Sequence, residues 1–289
     1  NGPLYPPAIQ GDAASVSILC DFSFHHCRLE EGQTGFCRAR ANRDGRITCL
    51  NYGKLTALAL DPIEKKPLRR FHPGSEVLSV GSFGCNLSCP FCQNARIAAA
   101  GEESRTRDCS PEMLVEEALC LCSRGNIGVA YTCNEPLVGY EYVRDCAALV
   151  RQAGMRNVLV TNGTISEKPW RELLPLIDAV NIDLKGFTEN WYRVLGGDLE
   201  TVKRSIALAA QSCHVEITIL IVPGENDSED EIRALSGWLA SVRADIPLHI
   251  SRLFPCHCMK DRPPTPVETV YRLADVAREQ LQYVYTGNC

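Results

Sequence analysis

The sequence predicts an α/β fold: a partial (β/α)6 barrel of the TIM type over residues 76–289, preceded by a small β-rich, Cys-containing module at residues 1–75. Three observations predict it. From residue 76 on, six apolar runs recur, at Val77–Val80, Ile127–Tyr131, Asn157–Thr161, Ala179–Leu184, Val215–Val222 and Leu248–Leu253, with helical patterns between them. The runs are apolar without alternation, as strands covered on both faces are. Before residue 76 the composition shifts to Gly, Pro, Arg and Cys.

Strands that alternate with helices pair in parallel through right-handed crossovers. A doubly wound sheet and a (β/α) barrel both fit this pattern, and six units fall short of the eight of a closed barrel. Either way, the chemistry is expected at the C-terminal ends of the strands. The first module shows strand-like pieces at Ile47–Leu50 and Leu55–Leu60, punctuated by the turn signals Asp44-Gly45, Asp61-Pro62 and His72-Pro73-Gly74. Further along, Ser110-Pro111 reads as an N-cap followed by Pro in the first turn. Ser228 with Glu231, and Thr265 with Glu268, match the capping box. The last helix repeats apolar residues at Val267, Val270, Leu273, Ala274 and Ala277, a period near 3.6.

The 289 residues are 45% hydrophobic and 22% charged, with a net charge of -5. No broad basic excess exists to attract nucleic acid. No apolar run approaches the roughly 18 residues of a membrane span. The chain opens at Asn1 without a charged stretch leading into an apolar one, so no leader is expected. Sixteen cysteines suggest a disulfide scaffold at first. A chain this long buries its own core, however, and Cys120, Cys122 and Cys146 fall inside apolar helical patterns where a thiol serves as a small hydrophobe. The expected setting is a reducing, cytoplasmic one. His214 and His249 stand in strand-like runs and read as structural.

After the first strand the chain reads Gly84-Cys85-Asn86-Leu87-Ser88-Cys89-Pro90-Phe91-Cys92-Gln93-Asn94. Three thiolates on one loop can converge on a single metal centre, and thiolates suit zinc or an iron–sulfur cluster. Structural zinc takes four ligands. A cubane with three protein thiolates leaves one iron open, as a reactive cluster requires.

This C-x3-C-x2-C loop, with an aromatic before its last Cys, resembles that of the radical S-adenosylmethionine superfamily, and Cys85–Asn94 resembles its pyruvate formate-lyase activating-enzyme group. Asp61–Leu68, Tyr131–Pro136, Asn181–Lys185, Ser251-Arg252, Pro263–Pro266 and Tyr283–Asn288 are similar to the AmmeMemoRadiSam subfamily. The resemblance implies that Cys85, Cys89 and Cys92 hold a [4Fe–4S] cluster whose fourth iron is chelated by S-adenosylmethionine. It implies further cofactor contacts from Phe91, Asn94, Asn134, Glu135, Pro136, Thr161, Asn162, Asp183, Lys185 and Val222. Phe91 would pack near the adenine, Asp183 would face the ammonium of the methionine moiety, and Lys185 its carboxylate. Relatives carry Gly-Gly-Glu-Pro where this chain has Cys133-Asn134-Glu135-Pro136. Glu135 also suits the cap of the following helix, and Asp183 with Lys185 suits an ordinary ion pair. The implied partners are a low-potential electron donor such as flavodoxin or ferredoxin, and a substrate that the resemblance does not name. The candidates are a partner protein such as a glycyl radical enzyme, and a substrate linked to proteins of the Memo and AMMECR1 type.

Two further Cys groups stand out. Cys20, Cys27 and Cys37, with His25 and His26 nearby, form a candidate second metal site for zinc. Cys256-His257-Cys258 follows the sixth strand, where relatives carry an Asp, an aromatic and a Lys. The competing reading from another class is a non-catalytic zinc protein or an electron-transfer iron–sulfur protein.

Overall fold

The computed structural model describes residues 17–289, so the first 16 residues of the N-terminal module lie outside the described residues. Eight strands form the central sheet: β1 (Ala57–Pro62), β2 (Glu76–Gly81), β3 (Asn126–Tyr131), β4 (Arg156–Thr161), β5 (Ala179–Asp183), β6 (His214–Ile221), β7 (Leu248–Arg252) and β8 (Val284–Gly287). Their spatial order follows the chain without reversal. A doubly wound sheet reverses its order at a switch point, so this winding is that of a barrel. β1 and β8 occupy the two edges of the sheet, which makes the barrel partial.

All six expected strands are present. Two more flank them. β8 adds a seventh parallel strand beside β7. β1 pairs antiparallel with β2 from Ala57↔Gly81 to Pro62↔Glu76, so the division read at residue 75 falls inside a hairpin of the main sheet. Before it, Ile18–Cys20 pairs with Cys27–Leu29, and Arg40–Arg43 with Arg46–Cys49, giving the small β-rich module.

The helices cover the outside of the sheet with stripes at helical spacing. α1 (Pro111–Cys120) buries Leu114 and Ala118, α2 (Tyr140–Gln152) buries Val143, Cys146, Ala147 and Val150, and α3 (Glu167–Leu173) buries Trp170 and Leu173. α4 (Leu199–Ala209), α5 (Glu229–Arg243) and α6 (Val267–Arg278) repeat the pattern, with Val270, Leu273, Ala274 and Ala277 buried in α6 as its sequence period predicts. Burying each such aliphatic side chain stabilises the fold by about 1.5–3 kcal/mol. Cys146 fills the core as expected, but Cys120 and Cys122 are exposed. The buried stripe of α1 runs through Leu114 and Ala118, which turns Cys120 away from the sheet.

The caps divide. Ser110 and Ser228 accept from the N–H groups of Met113 and Glu231 as expected. The Glu231 carboxylate does not complete its box; it accepts from Phe187 N–H. Thr265 does not cap α6, which has no side-chain cap. Its hydroxyl instead donates to Ile221 O and accepts from Leu253 N–H, joining the ends of β6 and β7.

Inside the barrel the strands carry small residues. Val77, Ala130, Val158 and Ala179 pack on Ile63 and Leu68, which plug the N-terminal end. This plug is the Asp61–Leu68 segment. Asp61 accepts from Lys65, Lys66 and Ser79, and Asn181 Nδ2 donates to Pro67 O at 2.9 Å. The plug is closed below by Glu216, fully buried, which accepts from Arg69 N–H, Arg70 N–H, His214 and His249. Both histidines are therefore structural, as read.

Candidate active site

The loop after β2 carries the cysteine triplet, and backbone demands fix its path. Gly84 has φ +91, and a Cβ there would lie 2.6 Å from Cys37 O. Only glycine accepts both the left-handed conformation and that approach. The N-terminal module closes over the same loop. Cys85 N–H donates to Cys37 O at 3.2 Å, and His25 Nε2 bonds Asn86 O at 2.9 Å while its ring stacks on Phe36. Cys20 and Cys27 stand opposite each other across a strand pair. Among the described residues, no three Cys, His, Asp or Glu side chains gather round a single-ion position. His25, which the sequence reading placed only among zinc candidates, thus contacts the backbone of the triplet loop.

Cys85, Cys89 and Cys92 instead line one cavity of about 280 Å³ at the C-terminal ends of the strands. Each thiolate of a cubane serves a different iron, so a ring of thiols around a cavity suits a cluster. Two N–H donors already address the Cys85 sulfur: Leu87 N–H at 3.4 Å and Asn162 Nδ2 at 3.8 Å. Burial pushes all three thiols up, Cys89 to about 11, with Glu135 adding to the effect at Cys85. A cationic metal centre offsets that cost by favouring the thiolate. The residues present fit an iron–sulfur cluster.

The same cavity is lined by Asp183, the last residue of β5, and by Lys185 just beyond it. Lys185 Nζ donates to Asp183 Oδ2 at 2.8 Å, so the ion pair is formed. Burial alone would lower the Lys185 pKa, but the Asp183 carboxylate and the Cys89 thiol raise it above its ordinary value. Its backbone is fixed on both sides: Lys185 N–H donates to Tyr192 Oη, and Lys185 O accepts from Trp191 Nε1 and Asn226 Nδ2.

Glu135 ends up as both a cap and a tie. Its carboxylate accepts from Leu137 N–H, from Thr161 Oγ1 at 2.7 Å and from Asn162 N–H at 2.8 Å, linking the ends of β3 and β4. Burial raises it to about 7 despite those donors. Asn134 spends its amide on the backbone leading into the triplet, accepting from Ser82 N–H and donating to Phe83 O and Gly84 O. Asn94 donates to Cys133 O at 2.7 Å. Cys133 sits at φ +74, the conformation for which a glycine is better suited. Phe91 lines the cavity and stacks on Trp191, ring centroids 6.0 Å apart. Val222 is buried in the same apolar cluster as Phe91. Pro136 begins the short helix after Glu135. Thr132, Thr218, Leu220 and Ser251 also line the cavity. Thr132 and Ser251 stand in segments that carry the resemblance but were given no role, and Thr218 and Leu220 were not singled out, although the two-residue period of a strand carries inward from Asn181 and Thr218 to Asp183 and Leu220.

Comparison with known proteins agrees with this geometry. Residues 79–235 match the model of the Radical SAM superfamily. An uncharacterized protein of Methanocaldococcus jannaschii is 40% identical over 276 residues, covering 94% of this chain and 81% of that one. The pyruvate formate-lyase 1-activating enzyme of Escherichia coli K12 is 28% identical over 158 residues, 53% of this chain and 63% of that enzyme's length. Among solved structures, Streptococcus suis SuiB bound to its precursor peptide SuiA has a TM-score of 0.56 at 15% identity, covering 72% of this chain and 47% of that one. A radical SAM methyltransferase from Sphaerobacter thermophilus has a TM-score of 0.52 at 16% identity, covering 75% and 67%. These two likenesses are of fold. The strand-end cavity, the three thiols on its rim and the match over residues 79–235 agree: this chain is an enzyme of the radical SAM superfamily.

Proposed function

We propose that Cys85, Cys89 and Cys92 hold a [4Fe–4S] cluster, and that the adjoining cavity takes S-adenosylmethionine with Asp183 and Lys185 on its methionine end. The observation that carries this is the shared cavity, which all three thiols and the Asp183–Lys185 pair line together. When bound, cluster and cofactor supply reductive cleavage of the sulfonium, giving methionine and a 5′-deoxyadenosyl radical that takes a hydrogen atom from substrate. The chain's own part is binding and placement. The Asp183–Lys185 pair opens, so that Asp183 accepts from the ammonium and Lys185 donates to the carboxylate; each charge exchanges one partner for another. Phe91, held by Trp191, offers an apolar face to the adenine. Glu135 fixes Thr161 and Asn162, and Asn162 holds the Cys85 sulfur.

The substrate on this reading is a protein. Two features support it: the likeness to an enzyme named as an activator of pyruvate formate-lyase, and the similarity of Asp61–Leu68 to the AmmeMemoRadiSam subfamily, which favours a partner of the Memo and AMMECR1 type over a glycyl radical enzyme. A low-potential flavodoxin or ferredoxin supplies the electron.

Anaerobic reconstitution with iron and sulfide tests the reading. The reduced protein should convert S-adenosylmethionine to 5′-deoxyadenosine and methionine. A chain that takes up one zinc ion, stays colourless and leaves the cofactor intact would overturn it. Deuterium exchange between 5′-deoxyadenosine and candidate proteins then identifies the substrate.

A further inference from the structure

Cys256-His257-Cys258 is the Cys group not yet assigned a role, and it lies against the triplet. The loop leaves β7 and turns through the short helix His257–Met259. Cys256 Sγ lies 3.0 Å from Phe91 O. Cys258 N–H donates to Pro90 O, also at 3.0 Å. These carbonyls belong to the two consecutive peptide groups that join Pro90 to Cys92. One strap thus holds the Cys89–Cys92 segment at two adjacent points. Cys92 N–H in turn donates to Cys89 O at 3.1 Å, so the peptide that accepts from Cys256 is also the one that closes the turn between two of the three thiols. Hydrogen bonds linked through one peptide polarise each other.

Packing supports the same contact. Leu253 and Met259, on either side of the strap, are buried with Phe91, Trp191, Leu195 and Val222, and Cys89 packs against this cluster. His257 faces a second cavity, of about 660 Å³, which all three triplet cysteines also line. His257 is at φ +49, a conformation that costs energy in a non-glycine residue; here it accompanies the two contacts on either side.

We propose that Cys256 is a positioning residue for the three-thiolate centre, its thiol donating to Phe91 O to fix the Cys89–Cys92 turn. This rests on the reading of the triplet as cluster ligands. Cys256 does not ligate iron; it sets how firmly the loop holds it and how its sulfurs are spaced. Partners of metal ligands at this remove influence affinity strongly, and the surroundings of cluster sulfurs influence the reduction potential.

The test compares Cys256→Val with Cys256→Ser in the reconstituted chain. Cys256 has extended backbone, φ −156 and ψ 170, which a β-branched residue adopts readily. Valine therefore keeps the bulk and removes the donor, while serine keeps a donor. The readouts are iron release to bathophenanthroline, the EPR spectrum of the reduced cluster and its midpoint potential, with unfolding of the iron-free forms as the fold control. In Cys256→Val, iron release should quicken by roughly tenfold, with a shifted EPR spectrum and potential. Cys256→Ser should return all three towards the parent. If Cys256→Val matches the parent in release rate, spectrum and potential, the proposal fails. It fails equally if Cys256→Ser behaves as Cys256→Val does. A parent chain that assembles no cluster at all would instead overturn the proposed function, so the two failures are distinguishable.

Discussion

Glu135 and Glu216 are buried carboxylates at opposite ends of one barrel, 3% and 0% exposed. Glu135 accepts from three donors and Glu216 from four. Burial opposes ionisation at both, yet Glu135 is raised to about 7, while the imidazoles of His214 and His249 and the N–H groups of Arg69 and Arg70 hold Glu216 at about 2. The kind of donor decides the difference. At the top the donors are neutral amides and one hydroxyl, and the Asp183 charge adds to the cost of burial. Among the described residues, Lys185 is the only Lys or Arg lining the upper cavity, against Glu135, Asp183 and four thiols, those of Cys85, Cys89, Cys92 and Cys133. The lower end is electrostatically complete. The upper end is short of positive charge, which suits a sulfonium and an ammonium arriving beside a metal centre.

Substitutions at the two ends should therefore separate ligand loss from stability loss. The largest effect is expected for Cys89→Ala, which should lower cluster iron per chain by roughly tenfold or more while the iron-free form unfolds near the parent midpoint; retained iron and cofactor cleavage would break the ligand assignment. At the lower end, Glu216→Ala leaves two imidazoles and two N–H groups without their acceptor, and should cost about 3–5 kcal/mol in denaturant unfolding.

Acid unfolding probes the same group. Glu216 is held below its ordinary value of 4.5, at about 2, so its contribution is present above the unfolded value and is lost as pH falls through that window. It amounts to about 3 kcal/mol, and Glu216→Gln should flatten the stability–pH curve over the same range. A smaller effect is expected for Asp183→Asn, which should weaken S-adenosylmethionine binding by roughly tenfold, about 1.4 kcal/mol, in equilibrium dialysis, with a smaller loss of stability than Glu216→Ala because both members of the Asp183–Lys185 pair stay partly exposed. Least affected should be Cys20→Ser, with parental iron content; a loss of bound metal there would reveal a centre in the N-terminal module.

What the sequence made legible was periodic or local. Unbroken apolar runs located six strands, the α6 stripe emerged residue by residue, and the short spacing of Cys85, Cys89 and Cys92 placed three thiols on one rim. What it hid was long-range. The Thr265 hydroxyl looked like a cap because Glu268 stands three residues on, but its partners at Ile221 and Leu253 come from two strand ends. β8 is short, and its half-buried residues give no apolar run. Asn134 lines the cavity, but nothing in the sequence signalled that its amide would also tie down the backbone of the loop after β2. Cys120 was misplaced because a short apolar helix has two sides and only tertiary packing selects one.

The strap has a consequence for how the molecule is made. Phe91 and Cys256 are 165 residues apart in the chain. A ribosome adding about 5–20 residues per second leaves roughly 8–33 s between their appearances. Through that interval the nascent triplet lacks its clasp, and for about the first half of it also the side chains of Asp183 and Lys185. Iron delivered early would meet a half-built site. On the proposed reading the site is complete only once Cys256 has emerged, so the order of synthesis separates the appearance of the three thiols from the closing of their surroundings.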